Sequence, residues 1–331
     1  MEVEEQLLRL GRRGSILRPF CESRGVQHRG YSRRLQRVMT DFGADASFAA
    51  AAGKVWEHYR IEVPVSAVRE HALRHGRCMA SLAEQVVENP AKCLVTEMDG
   101  SMIPVMEPGT GPDHRKAKRL FWREVRLCCA RGSDREQTYY GATLGSAEVA
   151  GWLWEQTARM AGLTERTQVH GVGDGAPWIV EKFRDYFGDR GKYLIDFYHV
   201  SEYLGAAALQ VARPGKEREW RRRQQARLLE NKVFQVLRSL ESHLEPVGMD
   251  EAPVRAAFNY LSVRRDQLDY AGARRQQLPI GSGEVEGGHR HVIQERLKLS
   301  GCWWKETNAT PMLNLRLARA NNLWEDYWAK N

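Results

Sequence analysis

Three carboxylates in this 331-residue chain stand where acids could do chemistry. Asp99 follows a short apolar run, CLVTEM (93–98). Asp174 follows another, QVHGVG (168–173), inside GDGAPW, where the flanking glycines let other groups approach the backbone closely. Glu286 falls in the first turn of a helix predicted to follow the loop Gly281-Ser282-Gly283. Acids at strand ends tend to face a site at the sheet edge, and with a third acid from a late helix they can hold two divalent cations. Taken singly, an aspartate at a strand end is most often a turn residue. Only the three together, in this order of elements, point to a site. Glu284 competes with Glu286: two residues apart, they lie about 200° apart on a helix and cannot face one site together. The apolar stripe of that helix is Val285, Val292, Ile293 and Leu297. Glu286 borders it, next to Arg290, whereas Glu284 falls with Gly288, His291, Glu295 and Lys298 on the polar side. A site carboxylate should project at the edge of the core, so Glu286 is the expected third acid. Asp196 and His199, in D-F-Y-H, read equally as support for such a site or as an ordinary buried pair.

These acids need elements to position them. The run 93–98 reads as a first strand, with a polar loop from Gly100 to about Lys118. FWREVRLCCA (121–130) alternates and reads as a second strand, and TYYGATLG (138–145) as a third. Ser146 caps a helix to about Met160. QVHGVG is the fourth strand, Pro177 opens a helix with Ile179, Val180 and Phe183 inward, and GKYLIDF (191–197) is the fifth strand. Three strands before the first helix predict a mixed sheet, not a doubly wound parallel one. Residues 200–275 read as polar helices, and a helix is predicted over 284–298. Upstream, ASFAAAAGKVWEHY (46–59) reads as a helix, broken by RIEVP; Ser66 would cap a second over 67–76, with Val68 and Leu73 inward. Arg69, His71, Arg74, His75 and Arg77 would then face outward, a basic helix-turn-helix pattern.

Charge and composition bound the function. Hydrophobic residues make up 42% and charged residues 28%, the balance of a folded, water-soluble chain. No apolar run approaches a membrane span, and the acidic start MEVEEQLLRL does not read as a secretory signal. Six cysteines (21, 78, 93, 128, 129 and 302) form no CxxC, which disfavours a zinc site or a disulfide scaffold. His289 and His291 have no further His/Cys pair at ligand spacing. The net charge is +8, and residues 9–37 carry all of it: nine arginines against Glu22. Such an arm suits a phosphate backbone, or is a solvated terminus. A second basic cluster, Lys216 to Arg238, is interleaved with acids and reads as an exposed helix face.

Longer motifs carry a resemblance. PFCESRGVQHRGYSRRLQRVMTDFGAD (19–45), TEMDGS (96–101), GDGAPWIVEKF (173–183), YLIDFYHVSEYL (193–204), LPIGSGEVEGGHRHVIQERLK (278–298), GCWWKE (301–306) and LRLARANNLWEDYW (315–328) together resemble the insertion-sequence transposases of the Kra subgroup. These are DDE transposases with an RNase-H-like catalytic core. The resemblance implies an α/β fold: an RNase-H-like mixed five-stranded sheet with flanking helices and a helical insertion, preceded by an N-terminal helix-turn-helix region. The implied organisation is an arm and helix-turn-helix over 1–90, the first part of the core over 91–199, the insertion over 200–278, and helices completing the core over 279–331. It implies Asp99, Asp174 and Glu286 as the catalytic, metal-binding triad, with Asp196 and His199 supporting. Two Mg2+ ions, replaceable by Mn2+, would serve cleavage at element ends and 3′-hydroxyl strand transfer into target DNA. Arg29, Arg33, Arg34, Arg37, Arg69, Arg74 and Arg77 would contact duplex DNA at terminal inverted repeats and target. A homo-oligomer on DNA, in a prokaryotic cytoplasm at the nucleoid, is the implied setting. Two departures stand out: Gly287-Gly288 in place of two small residues such as Ser-Ala, softening that helix, and Tyr31 where a cysteine would be expected. The rival readings are a transposase-derived DNA-binding protein that does not cut, and an RNase-H-like nuclease without strand transfer.

Overall fold

The structure, a computed structural model, describes residues 8–9, 16–23, 30–81, 89–109 and 118–330. Arg29 and residues 110–117 of the expected loop lie outside the described residues. A two-residue ribbon, β1 (Leu8–Arg9) with β2 (Ile16–Leu17), precedes α1 (Pro19–Ser23), α2 (Arg33–Asp45), α3 (Phe48–Tyr59) and α4 (Val65–Cys78). Then come β3 (Cys93–Glu107), β4 (Arg119–Gly132), β5 (Tyr139–Thr143), α5 (Ala147–Met160), β6 (Gln168–Gly173), α6 (Pro177–Phe187) and β7 (Gly191–Ile195). Helices follow: α7 (Phe197–Val211), α8 (Glu217–Leu229), α9 (Val233–Glu241), α10 (Pro253–Ser262), α11 (Tyr270–Arg275), α12 (Gly283–Gly288), α13 (Glu295–Leu297), α14 (Glu306–Ala320) and α15 (Trp324–Lys330). No helix among the described residues is long and apolar enough to cross a membrane.

Contacts divide the described residues into two units. One gathers those within Met1–Leu82, Pro104–Phe121 and His291–Asn331; the other, those within Ala83–Ile103 and Trp122–Arg290. The second unit holds a five-stranded sheet in the order β5-β4-β3-β6-β7. β4 and β5 are antiparallel, whereas β6 runs parallel to both β3 and β7, so the sheet is mixed as the strand order predicts. One face of this sheet packs on α5 and α6. Leu94 and Met98 share a core with Trp154, Ile179 and Phe183, and the Trp154 indole N–H donates to Thr96 Oγ1 at 2.5 Å. Ser146 does cap α5, and Pro177 does open α6. Phe197 belongs to α7 and not to the fifth strand, because Asp196 caps that helix. The first strand continues to Glu107, where a loop was expected from Gly100. Gly100 and Pro104 mimic turn signals, yet Ile103 and Val105 keep the strand's inward alternation and are fully buried.

The stretch 200–275 is helical as predicted, and its helices share a core with Leu194 and Ile195 of β7. Leu204 and Ala207 of α7 meet Leu228, Val236, Leu240, Val254 and Leu261.

In the first unit, α2, α3 and α4 share a small core of Met39, Ala51, Val55 and Val68. The described residues of His291–Asn331 fall in the same unit as these N-terminal helices. A Cβ on Gly76 of α4 would collide with the Pro311 carbonyl of α14, so these two helices touch backbone to backbone. α4 starts at Val65 behind Pro64, so Ser66 is not its cap. His71 and His75 face inward, not outward, because α4 is covered on that side.

Candidate active site

The register of the sheet brings three aspartates into one row. Glu97 of β3 stands opposite Val172 of β6, and Gly173 opposite Ile195 of β7. Two residues beyond Glu97 and Val172 come Asp99 and Asp174; one residue beyond Ile195 comes Asp196. All three therefore stand at the same level of adjacent parallel strands, Asp174 and Asp196 just past the ends of β6 and β7 and Asp99 within β3, where its pairing with β6 stops. The pleat puts Glu97, Asp99 and Asp174 on the face opposite α5 and α6. The Asp196 backbone N–H donates to the Gly173 carbonyl at 2.7 Å, which carries the pairing to the row itself.

Each aspartate has a different local duty. Asp196 is almost fully buried. Its Oδ1 accepts from the Tyr198 and His199 backbone N–H groups as the α7 cap, at 2.5 and 3.0 Å. Its Oδ2 accepts from the Ser282 N–H and hydroxyl, at 2.7 and 2.5 Å. Both oxygens are thus committed to tying the start of α7 to the loop that leads into α12. Asp174 Oδ1 accepts the Ala176 N–H at 2.8 Å, forming the turn into α6. Its carbonyl accepts from the Tyr260 hydroxyl, and the Arg264 guanidinium donates to the Gly175 carbonyl at 3.0 Å. Asp99 is partly exposed; its Oδ1 accepts the Gly100 N–H at 2.7 Å, and its Oδ2 lies 3.1 Å from His289 Nε2.

His289 belongs to the helix that carries Glu286. That helix runs from α12 through a π-helical stretch, His289–Gln294, into α13. Such stretches inside α-helices are frequent at functional sites. Two side chains pin its start. Glu97 Oε2 accepts the Val285 N–H at 2.8 Å, and His289 reaches Asp99. Burial pushes the Glu97 carboxyl up to about 8, against the opposing pull of the Val285 N–H. Glu97 Oε1 and His289 Nδ1 are both buried without a hydrogen-bond partner among the described residues. Gly288 lies flat on the sheet: a Cβ there would stand 2.7 Å from the Tyr140 ring and 2.9 Å from a Leu127 methyl. Gly287 next to it faces open space. Gly288 is thus a contact position and not merely a soft point in the helix.

The two competing glutamates are disposed differently. Glu284 is half-buried, accepts from the Thr138 hydroxyl at 3.3 Å and lies 3.6 Å from Arg131 Nε. The Glu286 side chain is exposed and forms no hydrogen bond or ion pair with another described residue. It sits one turn before His289, on the neighbouring side of the helix. Asp99 and Asp174 are thus register neighbours, and His289 ties the Glu286 helix to Asp99. Among the described residues, no group of three His, Cys, Asp or Glu side chains is gathered closely enough to hold a metal ion. The His199 ring lies 3.7 Å from Glu202 Oε2 and edge-on to Tyr203 and Tyr260 at 5.4 and 5.6 Å. Glu97 and His289 were not singled out as site residues from the sequence. Their signal was the spacing: Glu97 two before Asp99 on a strand, His289 three after Glu286 on a helix.

The basic residues of the N-terminal helices divide in the same way. Arg34, Arg69 and Arg77 are exposed and pair with no other described residue. Arg74 donates to Gln36 Oε1 at 2.7 Å and lies 2.8 Å from His71 Nδ1. Arg37 pairs with Glu325, and Arg33 lies 5.9 Å from the Trp328 ring centre.

No protein-family model matches the chain. It is 25% identical over 298 residues to a protein of Streptococcus gallolyticus described as the UPF0236 protein in the vanSb 3′ region. The match takes in 88% of this chain and 62% of that protein's length. Among solved structures, the Drosophila P element transposase strand transfer complex aligns with a TM-score of 0.35 and 11% identity. That alignment covers 94% of this chain and 83% of the other.

Proposed function

We propose that the chain is a DDE-type DNA transposase of the Kra kind, which cleaves DNA at element ends and joins the freed 3′-hydroxyl to target DNA. The observation that carries this reading is the row of Asp99 and Asp174 on adjacent parallel strands, with the Glu286 helix tethered to Asp99 through His289. Asp99, Asp174 and Glu286 form an all-oxygen donor set of the kind that suits hard divalent cations. Glu286 is uncommitted to any described residue, and Asp174 Oδ1 serves only its own turn. The chemistry of these oxygens suits Mg2+; drawn together around it they would hold the ion, which when bound would activate the attacking oxygen and stabilise the leaving 3′-oxygen.

The chain's own residues supply the rest. Asp196 fixes the loop before α12, and Glu97 holds the Val285 N–H at the start of that helix, so Glu286 is presented from a pinned turn. His289 orients Asp99. In cleavage, water attacks the phosphorus, the P–O3′ bond breaks, and the 3′-oxygen leaves as a hydroxyl. In joining, that hydroxyl attacks a target phosphodiester and displaces another 3′-oxygen. No covalent link to the protein is needed. Arg34, Arg69 and Arg77 are the exposed charges with which the N-terminal helices would hold phosphates.

The test is a cleavage and joining assay on DNA flanking the chain's own coding region, with Mg2+ or with EDTA. Asp99→Ala and Asp174→Ala should abolish both steps while retaining DNA binding. Normal cleavage by either variant overturns the site. Loss of activity in Glu284→Ala but not in Glu286→Ala would transfer the third role to Glu284. Cleavage without joined products would leave a nuclease.

A further inference from the structure

The helical region between β7 and α12 carries a basic face that the acid row does not use. Helix α8 buries Gln224 and Leu228, with Trp220 packed against the same core. At 100° per residue, Arg222 points about 160° away from the centre of that buried side and Arg218 about 120°, whereas Arg221 lies about 60° from it, its side chain beside Gly205 of α7. All three are exposed.

The acids around this helix are already committed. Glu217 accepts the Gly215 N–H at 2.9 Å. Glu219 holds Lys216 at 3.2 Å and Arg223 at 3.1 Å. Glu230 holds Lys232 at 2.5 Å. Arg218, Arg221 and Arg222 have no hydrogen bond or ion pair with another described residue. Arg213, just before the helix, is exposed as well. Like charges at i, i+3 and i+4 cost a helix a few tenths of a kcal/mol per pair. Helix α8 balances Lys216 and Arg223 yet leaves this trio free to meet negative charge from a partner. The Arg218 and Arg222 backbones lie about 6 Å apart along the axis, on an exposed helix surface. A row of phosphates fits such a surface better than a single one.

We propose that the Arg218–Arg221–Arg222 face of α8 is a second duplex-DNA contact, gripping the phosphate backbone without reading sequence. The choice of DNA as partner rests on the transposase reading. The measurement does not, because it is made in EDTA, where no cleavage occurs. Binding of the full chain to a short fluorescent duplex of arbitrary sequence is followed by anisotropy across a KCl series. Replacing Arg218, Arg221 and Arg222 together by Gln keeps helix propensity. Each lost phosphate contact should flatten the log-affinity against log-salt slope by about 0.9, so the slope should become shallower by about 2 to 3. Affinity at about 0.1 M salt should fall at least tenfold. The corresponding Arg→Lys variant should keep most of the slope. An unchanged slope in the Gln variant overturns the proposal, as does an equal loss on heparin with none on the duplex. If the triple variant loses helical circular dichroism, Arg218→Gln and Arg222→Gln are measured singly, each expected to remove about one contact. A failed cleavage assay with an intact slope effect would refute the acid row and leave this surface standing.

Discussion

Glu97 shows how one buried acid can set the position of another that is exposed. Its Oε2 is the acceptor for the Val285 N–H at the head of the helix that bears Glu286. Because burial raises its carboxyl to about 8, the folded chain holds this proton far more tightly than the unfolded chain, whose carboxyl titrates near 4.5. The contribution is therefore fully present below about pH 4.5 and is lost as pH rises toward about 8. Glu97→Gln keeps a carbonyl acceptor and removes the titration. Urea unfolding should show the Gln variant losing less stability than the parent between about pH 5 and pH 8. Identical slopes would mean that Glu97 is ionised in the fold. Glu97→Ala strands the Val285 N–H and should cost about 1–3 kcal/mol at neutral pH.

The helix running from Gly283 to Leu297 is the element on which the site depends, and its fixings differ along its length. At its head, the missing side chain of Gly288 allows contact with Tyr140 and Leu127. Gly288→Ala should therefore push the helix off the sheet, cost about 1–3 kcal/mol by overpacking, and reduce cleavage more than DNA binding. Gly287→Ala meets open space and should be neutral or stabilising by up to about 1 kcal/mol. Equal behaviour of the two variants in thermal melts would contradict this packing. Near its end, the Arg296 guanidinium lies 4.8 Å from the Phe48 ring centre and 4.9 Å from that of Trp304, and its Nε–H donates to the Gly43 carbonyl at 2.9 Å. Arg296→Lys keeps the charge but loses the flat stacking and the directed donor. A loss of about 1–3 kcal/mol in urea unfolding is expected; a loss below about 0.5 kcal/mol would show that the stacking contributes little.

Across the molecule, charge and acid sensitivity follow from where ionisable groups are enclosed. His75 is buried, with Tyr327 Oη at 2.7 Å from Nδ1 and Gln36 Oε1 at 3.1 Å from Nε2. Burial first, and then the nearby charge of Arg74, lower its pKa from 6.5 to about 3; His71 shifts the same way. The unfolded chain takes up this proton below about 6.5 and the folded chain does not. The stability is thus fully present above about pH 6.5 and is lost as pH falls toward about 3. His75→Gln should be less stable at pH 7 yet show a smaller fall in melting temperature between about pH 6.5 and pH 4.5. A parent chain with no fall across that range would refute the buried neutral histidine.

The order of strands, the mixed sheet and the helical stretch after it were legible in the sequence. Apolar alternation, Ser146, Pro177 and the aspartates at the ends of runs are local signals, and local backbone preference is enough to set them. The start of the Glu286 helix was legible for the same reason. What lay beyond reach depends on contacts between distant segments. Only the parallel register places Asp99, Asp174 and Asp196 in one row, and only contacts with Tyr31, Gln36, Tyr327 and Trp328 enclose His71 and His75 on a helix that looked basic on its outer side. The commitment of Asp196 to Ser282, the tether of His289 to Asp99 and the close seat of Gly288 likewise arise where chain far apart in sequence meets. A hydrogen-bond partner or a steric limit is a property of that meeting, and no residue carries it alone.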